Sequence, residues 1–217
     1  PAIYYKGIAV AGFFVASVLF FNTLFLIGRT VRAWGKAQGK GPVAGFFGMI
    51  AGNASRIGGY IAHLGMAVIL VGLICSSMFV TEKTGYVPYD QATDTAGEFV
   101  IQDFTLKYTG NSIVEDPQGA NIYYTVEYDV YRNGSYAGHV APSMQLVRKT
   151  QQTKANAAVL SFPDEDLFVV YKGVNQAGAF SMDVRVNPMI SLVWIGFGLL
   201  VGGAAVAALG RHTLKRE

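Results

Sequence analysis

Long uncharged apolar stretches alternate with polar ones along the chain, and three of the apolar stretches are long enough to cross a bilayer. Residues 7–28, 60–80 and 189–210 contain no Asp, Glu, Lys or Arg. Because an α-helix rises about 1.5 Å per residue, each stretch covers roughly 30 Å of hydrocarbon. The pattern therefore predicts three transmembrane helices.

A fourth apolar stretch, residues 43–52, is too short to cross and is typical of an interfacial or re-entrant piece. The first span is long and is followed at once by Arg29 and Arg32 with no small-residue cleavage site, which argues against a signal peptide. Since Pro1 is not a translational start, we expect the chain to be trimmed or to be a piece of a longer protein.

The polar segment between the second and third spans has the alternation of β-strands. Residues 125–131 place Val126, Tyr128 and Val130 on one face, and Asn133-Gly134 then supplies a tight turn before a returning strand at 136–140. The other predicted strands are residues 99–108, 157–162, 167–174 and 180–186. We predict a membrane protein with three transmembrane helices and an extracytoplasmic all-β domain, a small barrel or sandwich, between helices 2 and 3.

Composition and charge support a membrane protein and set its orientation. The chain is 52% apolar and only 14% charged. Residues 29–59 contain five basic and no acidic residues, so this loop should be cytoplasmic, whereas residues 81–187 carry thirteen acidic and eight basic residues and should lie outside. The positive charge reports topology, and no nucleic-acid partner is implied.

These signals divide the chain into six parts. They are the first transmembrane helix (1–28), a basic cytoplasmic loop with a short interfacial segment (29–59), the second transmembrane helix (60–80), the β domain (81–187), the third transmembrane helix (188–210) and a cytoplasmic tail (211–217).

His63 is the most informative residue, because it lies a few positions inside an uncharged membrane span. An imidazole in hydrocarbon needs a partner, which is either a carbonyl or hydroxyl of a neighbouring helix, the nearby interface, or a cofactor. The single Cys75 should pack as a small apolar group, and no Cys-x-x-Cys-His motif for covalent heme is present. The sequence alone leaves the partner of His63 open.

The remaining polar candidates are weaker. Residues 164–166 (DED) follow a proline and are more typical of a solvated turn than of a metal site. His139 is expected to be a polar strand residue, and His212 belongs to the basic tail. Gly198 and Gly202 have the spacing that lets another helix approach closely, which is a hint of assembly.

Three stretches together resemble one known family. Residues 56–65 (RIGGYIAHLG) resemble the histidine-bearing helix of the cytochrome c maturation heme lyase family, CcmF. Residues 132–142 followed by 167–170 (LFVV) are similar to its second periplasmic domain, and residues 187–196 (NPMISLVWIG) to its last main transmembrane helix. The resemblance spans nearly the whole chain but covers only the C-terminal portion of the family.

The resemblance implies that His63 is an axial ligand of the iron of a transmembrane heme b; it assigns no catalytic residue in this chain. The complete enzyme is expected to take heme from a membrane-tethered heme chaperone and to attach it to the cysteine thiols of apocytochrome c outside the cytoplasm. Thiol-handling proteins and membrane lipid are further expected partners. A bacterial inner membrane with the β domain in the periplasm is the expected location.

The family's tryptophan-rich loop, its flanking histidines and its other transmembrane heme ligand have no counterpart in this sequence. The chain is therefore expected to act with an N-terminal part, on the same or a separate polypeptide, and not as a complete enzyme. Two alternatives stay open at this point. One is a non-catalytic membrane scaffold or docking subunit, and the other is a heme b electron-transfer subunit in which His63 acts across a homodimer.

Overall fold

The computed structural model describes residues 2–39, 41, 43, 44, 47, 48 and 52–214, with the side chains of residues 2–6 and 211–214 outside that description. The chain divides into two compact units. One comprises residues 1–79 and 188–217, and the other residues 80–187. Half of the predicted apolar piece at 43–52 lies outside the described residues.

The first unit is built from three helices, α1 (Ala2–Ala37), α2 (Ala54–Met78) and α3 (Ile190–Leu214). Within the described residues these three are long and apolar enough to cross a membrane, which confirms the predicted spans. Helix α1 continues past the apolar stretch, because Arg, Lys and Ala are good helix formers and nothing in 29–37 breaks the helix.

Glycines spaced seven residues apart bring α2 and α3 together. They are Gly58, Gly65 and Gly72 on α2, and Gly196, Gly203 and Gly210 on α3. A Cβ added at Gly65 would lie 2.6 Å from the Gly196 carbonyl oxygen, so only glycine fits there. A repeat of seven keeps one stripe of each helix at the contact, and small residues let the two backbones approach closely.

Helix α1 packs on α2 at two levels. Near the middle of α1 the Ile74 side chain fills the space beside Gly12. Near its end Val31 and Ile57 are both buried in one small apolar cluster, and the Thr30 and Tyr60 hydroxyls lie 3.3 Å apart. The last turns of α1 are therefore held against the start of α2.

The second unit is a β region of twelve strands within the described residues. They are β1 (Thr81–Val87), β2 (Tyr89–Asp90), β3 (Thr95–Ala96), β4 (Phe99–Ile101), β5 (Phe104–Glu115), β6 (Asn121–Arg132), β7 (Ser135–Val140), β8 (Ser143–Val147), β9 (Gln152–Asn156), β10 (Ala158–Ser161), β11 (Glu165–Val174) and β12 (Phe180–Pro188). One sheet has the order β1-β12-β11-β10, a second has β4-β5-β6-β8-β9 with β7 also paired to β6, and β2 pairs with β3.

The two larger sheets share one hydrophobic core. Its fully buried members include Phe104 and Leu106 from β5, and Met182 and Val184 from β12. The predicted face of β6 enters this core, since Val126, Tyr128 and Val130 are each at most 1% exposed. A β-rich region between the second and third helices is thus confirmed.

The predicted β6–β7 hairpin is present, and the conformation of its turn explains why Asn133 and Gly134 occur there. Asn133 and Gly134 both have positive φ, 50° and 79°. Two successive left-handed residues are what a tight two-residue hairpin turn requires, and Asn-Gly is the pair that adopts it at least cost. The turn pairs Arg132 with Ser135, and a bulge between Tyr131 and Val130 then shifts the register so that Asp129 lies opposite His139.

Candidate functional site around His63

His63 lies on the face of α2 that is turned away from α3. At 3.6 residues per turn, positions 63 and 65 are roughly 200° apart around the helix, and Gly65 is at the α3 contact. The residues sharing the His63 face recur alternately four and three positions apart, and they are Gly59, His63, Met66, Leu70, Leu73 and Ser77. None of these six residues is buried in the described structure. We call this stripe the open face of α2.

The imidazole of His63 is oriented by its own helix. Its Nδ1 lies 2.7 Å from the carbonyl oxygen of Gly59. Because a carbonyl oxygen can only accept, Nδ1 carries the hydrogen and donates it, and Nε2 of the neutral ring keeps its lone pair. The partner is thus a carbonyl one turn earlier and not a group of a neighbouring helix.

The space beside the ring is open within the described part of the chain. A Cβ added at Gly59 would meet no atom within 4 Å, whereas one at the adjacent Gly58 would meet the backbone of α3 at Gly203 and Ala207. An iron-ligating histidine usually donates its second nitrogen's hydrogen to a carbonyl or carboxylate. His63 and Gly59 thus have the donor arrangement of an iron-ligating histidine, and the described residues leave space beside Gly59.

The other sequence candidates do not join His63 in one site. In the β region, Nδ1 of His139 donates a hydrogen bond to Oδ1 of Asp129 at 3.0 Å. Cys75 is a free thiol, and the side chain of His212 lies outside the described residues. A Cβ at Gly198 or Gly202 would meet nothing within 4 Å, so in the described structure this spacing is not used between helices of the chain.

Asp164 and Glu165, two of the three acidic residues at 164–166, belong to an ion cluster centred on Arg132. The Arg132 guanidinium bonds Asp164 at 2.7 Å, Asp103 at 2.9 Å and Glu165 at 2.6 Å. Its charged plane also lies 5.1 Å from the ring centre of Phe162. The hydrogen bond from Arg132 holds the pKa of Asp164 below its ordinary value.

The predicted turn at 164–166 is shorter in the structure, because strand β11 begins at Glu165 and only Asp164 precedes it. Arg132 ties β6 to Asp164 and to the first residue of β11.

Comparison with known proteins shows what the chain is similar to. No protein-family model matches the chain. The cytochrome c-type biogenesis protein CcmF of Pseudomonas aeruginosa is 26% identical over 170 residues, which are 76% of this chain and 24% of that protein. The biogenesis protein CycK of Bradyrhizobium diazoefficiens is 24% identical over 158 residues, 73% of this chain and 23% of that protein.

A solved structure titled cytochrome c heme lyase CcmF has the same fold. It superimposes with a TM-score of 0.66 at 13% identity and covers 94% of this chain and 34% of that structure. The chain is similar to the C-terminal portion of CcmF. It spans about a quarter of the length of the curated CcmF relatives that it matches. With its three spanning helices, this similarity makes it an integral membrane protein.

The glycine repeat of this CcmF-like chain is a feature that sequence reasoning missed. The signal was available, because Gly58, Gly65 and Gly72 recur at seven residues, as do Gly196, Gly203 and Gly210. Gly198 and Gly202 have the better-known spacing of four, but they do not lie at the contact between α2 and α3. The repeat matters for the site because it fixes which face of α2 is used against α3 and leaves His63 on the other.

Proposed function

We propose that the chain is the C-terminal part of a cytochrome c heme lyase and that His63 is an axial ligand of a heme b held within the membrane. The relatives are cytochrome c-type biogenesis proteins, and the solved structure with this fold is titled a heme lyase. The observation that carries the proposal is the His63–Gly59 pair, because it ties Nδ1 and leaves Nε2 available on the open face of α2.

His63 would hold the heme through Nε2, and bound heme supplies a one-electron redox centre. The Gly59 carbonyl accepts the Nδ1 hydrogen at 2.7 Å, which fixes the tautomer and the plane of the ring and increases the basicity of Nε2. Gly59 itself leaves room beside the ring. Met66, Leu70 and Leu73 continue the face with apolar side chains, which limit the access of water.

The open face of α2 is suited to contact with the part of the relatives that this chain does not match. The chain matches about a quarter of each CcmF relative, and a membrane histidine facing outward from its own helices needs a partner. We propose that an N-terminal part, on the same or a separate polypeptide, covers the open face and supplies the second axial ligand. The β region would lie outside the cytoplasm, where the heme chaperone and apocytochrome c meet the enzyme.

The proposed function is tested by cytochrome c maturation in a bacterium that lacks its own lyase. The chain is expressed with its N-terminal part, and the covalent heme of c-type cytochromes is stained after electrophoresis. Wild-type chain should restore the stain, and His63→Ala should reduce it at least about tenfold, by loss of a ligand to an essential centre.

The matched control is Ser77→Ala, which changes a side chain on the same face of α2 without removing a nitrogen ligand or one of the apolar side chains that limit the access of water. It should retain most of the activity at equal protein level on an immunoblot. Full maturation by His63→Ala would contradict the proposed role of the histidine. Failure of the wild-type pair, with both parts present in the membrane, would contradict the lyase assignment.

A further inference from the structure

The last turns of α1 form a cationic cleft that the proposed heme site does not use. Arg29, Arg32 and Lys36 are all exposed, and they line an open groove of about 670 Å³ that runs along one face of α1. Leu24, Phe25 and Gly28 line its other end. We call this surface the basic cleft.

The basic cleft straddles the end of a membrane span. Residues 7–28 are uncharged, and the first cation follows at position 29. Phe25, one turn before the first cation, is 65% exposed, and Leu24 is 41% exposed. The apolar end of the cleft, at Leu24 and Phe25, can therefore contact hydrocarbon. Its cationic end can bind an anion at the depth of the lipid headgroups.

Within the described residues the three cations have no counter-charge. Residues 29–59 contain no Asp or Glu, and none of the ion pairs described for the chain includes Arg29, Arg32 or Lys36. Surface cations in proteins often lie near acids, and here the nearest acids in sequence are far away. The cluster attracts an anion from outside the polypeptide.

The cleft is also held in place from behind. On the opposite side of α1, Val31 is buried against Ile57, and the Thr30 hydroxyl lies 3.3 Å from that of Tyr60. Arg29, Arg32 and Lys36 recur at three and four positions along one helical face, so their charges converge on one volume. Little ordering of the backbone is then required when a ligand binds.

We propose that the basic cleft binds the headgroup of an anionic phospholipid, with Arg29, Arg32 and Lys36 on the phosphate and Leu24 and Phe25 against the acyl chain. The guanidinium fork matches phosphate oxygens, and clusters of cations directly beside a span bind anionic lipid. A soluble phosphate would use the cations alone and would gain nothing from the apolar end. The inference is independent of the heme site.

The test measures lipid contact at Phe25 itself. A reporter chain carries Phe25→Trp with Trp34→Phe and Trp194→Phe, so that its single tryptophan lies in the cleft. The chain is reconstituted with brominated phosphatidylglycerol or brominated phosphatidylcholine in otherwise unbrominated bilayers, and the quenching of tryptophan fluorescence gives the relative binding constant of the two lipids. We expect phosphatidylglycerol to be preferred at least about tenfold.

Arg29→Gln, Arg32→Gln and Lys36→Gln together should reduce this preference to about one, since the cations that distinguish an anionic headgroup from a zwitterionic one are then absent from the cleft. Arg56→Gln is the matched control, because Arg56 is exposed in the same basic loop but does not line the cleft. If the triple variant loses its helical circular dichroism, the charge-preserving set Arg29→Lys, Arg32→Lys and Lys36→Arg must keep the preference.

Three results would overturn the proposal. They are equal quenching by the two lipids in the unsubstituted reporter chain, an equal loss of preference with Arg56→Gln, and displacement of phosphatidylglycerol by millimolar inorganic phosphate. The last result would identify the cleft as a site for a soluble anion. Retention of the preference after all three cations are neutralised would also contradict it.

Discussion

Substituting Gly65 by alanine should drive α2 and α3 apart. A Cβ at this position would lie 2.6 Å from both the Gly196 carbonyl oxygen and the Leu200 amide nitrogen. Both atoms are backbone, so no side chain can rotate away. Ordinary contact begins at 3.4 Å, and the two helices would therefore have to separate by about 0.8 Å along this direction.

The expected cost follows from two opposing effects. Overpacking a close contact costs about 1–3 kcal/mol. Alanine is a better helix former than glycine by about 1 kcal/mol, and this gain offsets part of the overpacking cost. We expect Gly65→Ala to lower the free energy of unfolding by up to about 2 kcal/mol.

The same substitution at open positions should have the opposite sign. A Cβ at Gly59 or at Gly198 meets nothing within 4 Å of the described residues, so only the gain in helix propensity remains. The assay is reversible unfolding in mixed detergent micelles with increasing dodecyl sulfate, followed by far-UV circular dichroism at 222 nm. If Gly65→Ala is as stable as Gly59→Ala and Gly198→Ala, the close approach of the two helices is refuted.

Three further predictions concern the β region, whose unfolding can be followed by tyrosine near-UV circular dichroism. Arg132→Met should lower its stability by about 1–3 kcal/mol, because three carboxylates lose their shared cation; unchanged melting would show that the cluster contributes nothing. Burial alone would raise the pKa of the nearly inaccessible Asp183 carboxyl, but hydrogen bonds from Lys172 and Arg185 outweigh it and lower the pKa. The stabilisation by Asp183 is therefore fully present above about pH 4 and is lost as the pH falls through the folded-state pKa. Asp183→Asn should cost about 2 kcal/mol at pH 7 and progressively less in acid, and a cost independent of pH would contradict this linkage. Tyr128→Phe should leave the melting temperature unchanged or raise it, since the buried Tyr128 hydroxyl has no hydrogen-bond partner among the described residues; a marked decrease would indicate an unrecognised bond.

Elements with a strong hydrophobic period were predictable from the sequence. The length of the three apolar stretches predicts that they cross a bilayer, because a transmembrane helix needs about 20 apolar residues. Strand β6 alternates strictly, and Asn133-Gly134 marks its turn, so both the strand and its partner β7 were found. In each case the local pattern and the tertiary structure agree.

Elements that depend on partners distant in sequence were not predictable. Strand β9 (QTKAN) has no apolar face, and it is a strand because its backbone pairs with β8. The ion pairs of Arg132 were not predictable for the same reason, since Asp103 and Asp164 are distant in sequence and lie beside Arg132 only in the folded β region. The apolar stretch around His63 predicts a helix. Which face of that helix is open follows only from the contact between α2 and α3.

The central claim is that His63 ligates a transmembrane heme b, and the most direct measurement is a reduced-minus-oxidised heme spectrum. The chain is purified together with its N-terminal part, as wild type, as His63→Ala and as the control His139→Ala, whose histidine lies in the β region. Our account predicts a b-type signal in the wild type and in His139→Ala that is lost in His63→Ala. A wild-type complex without heme, or an undiminished signal in His63→Ala, would contradict it.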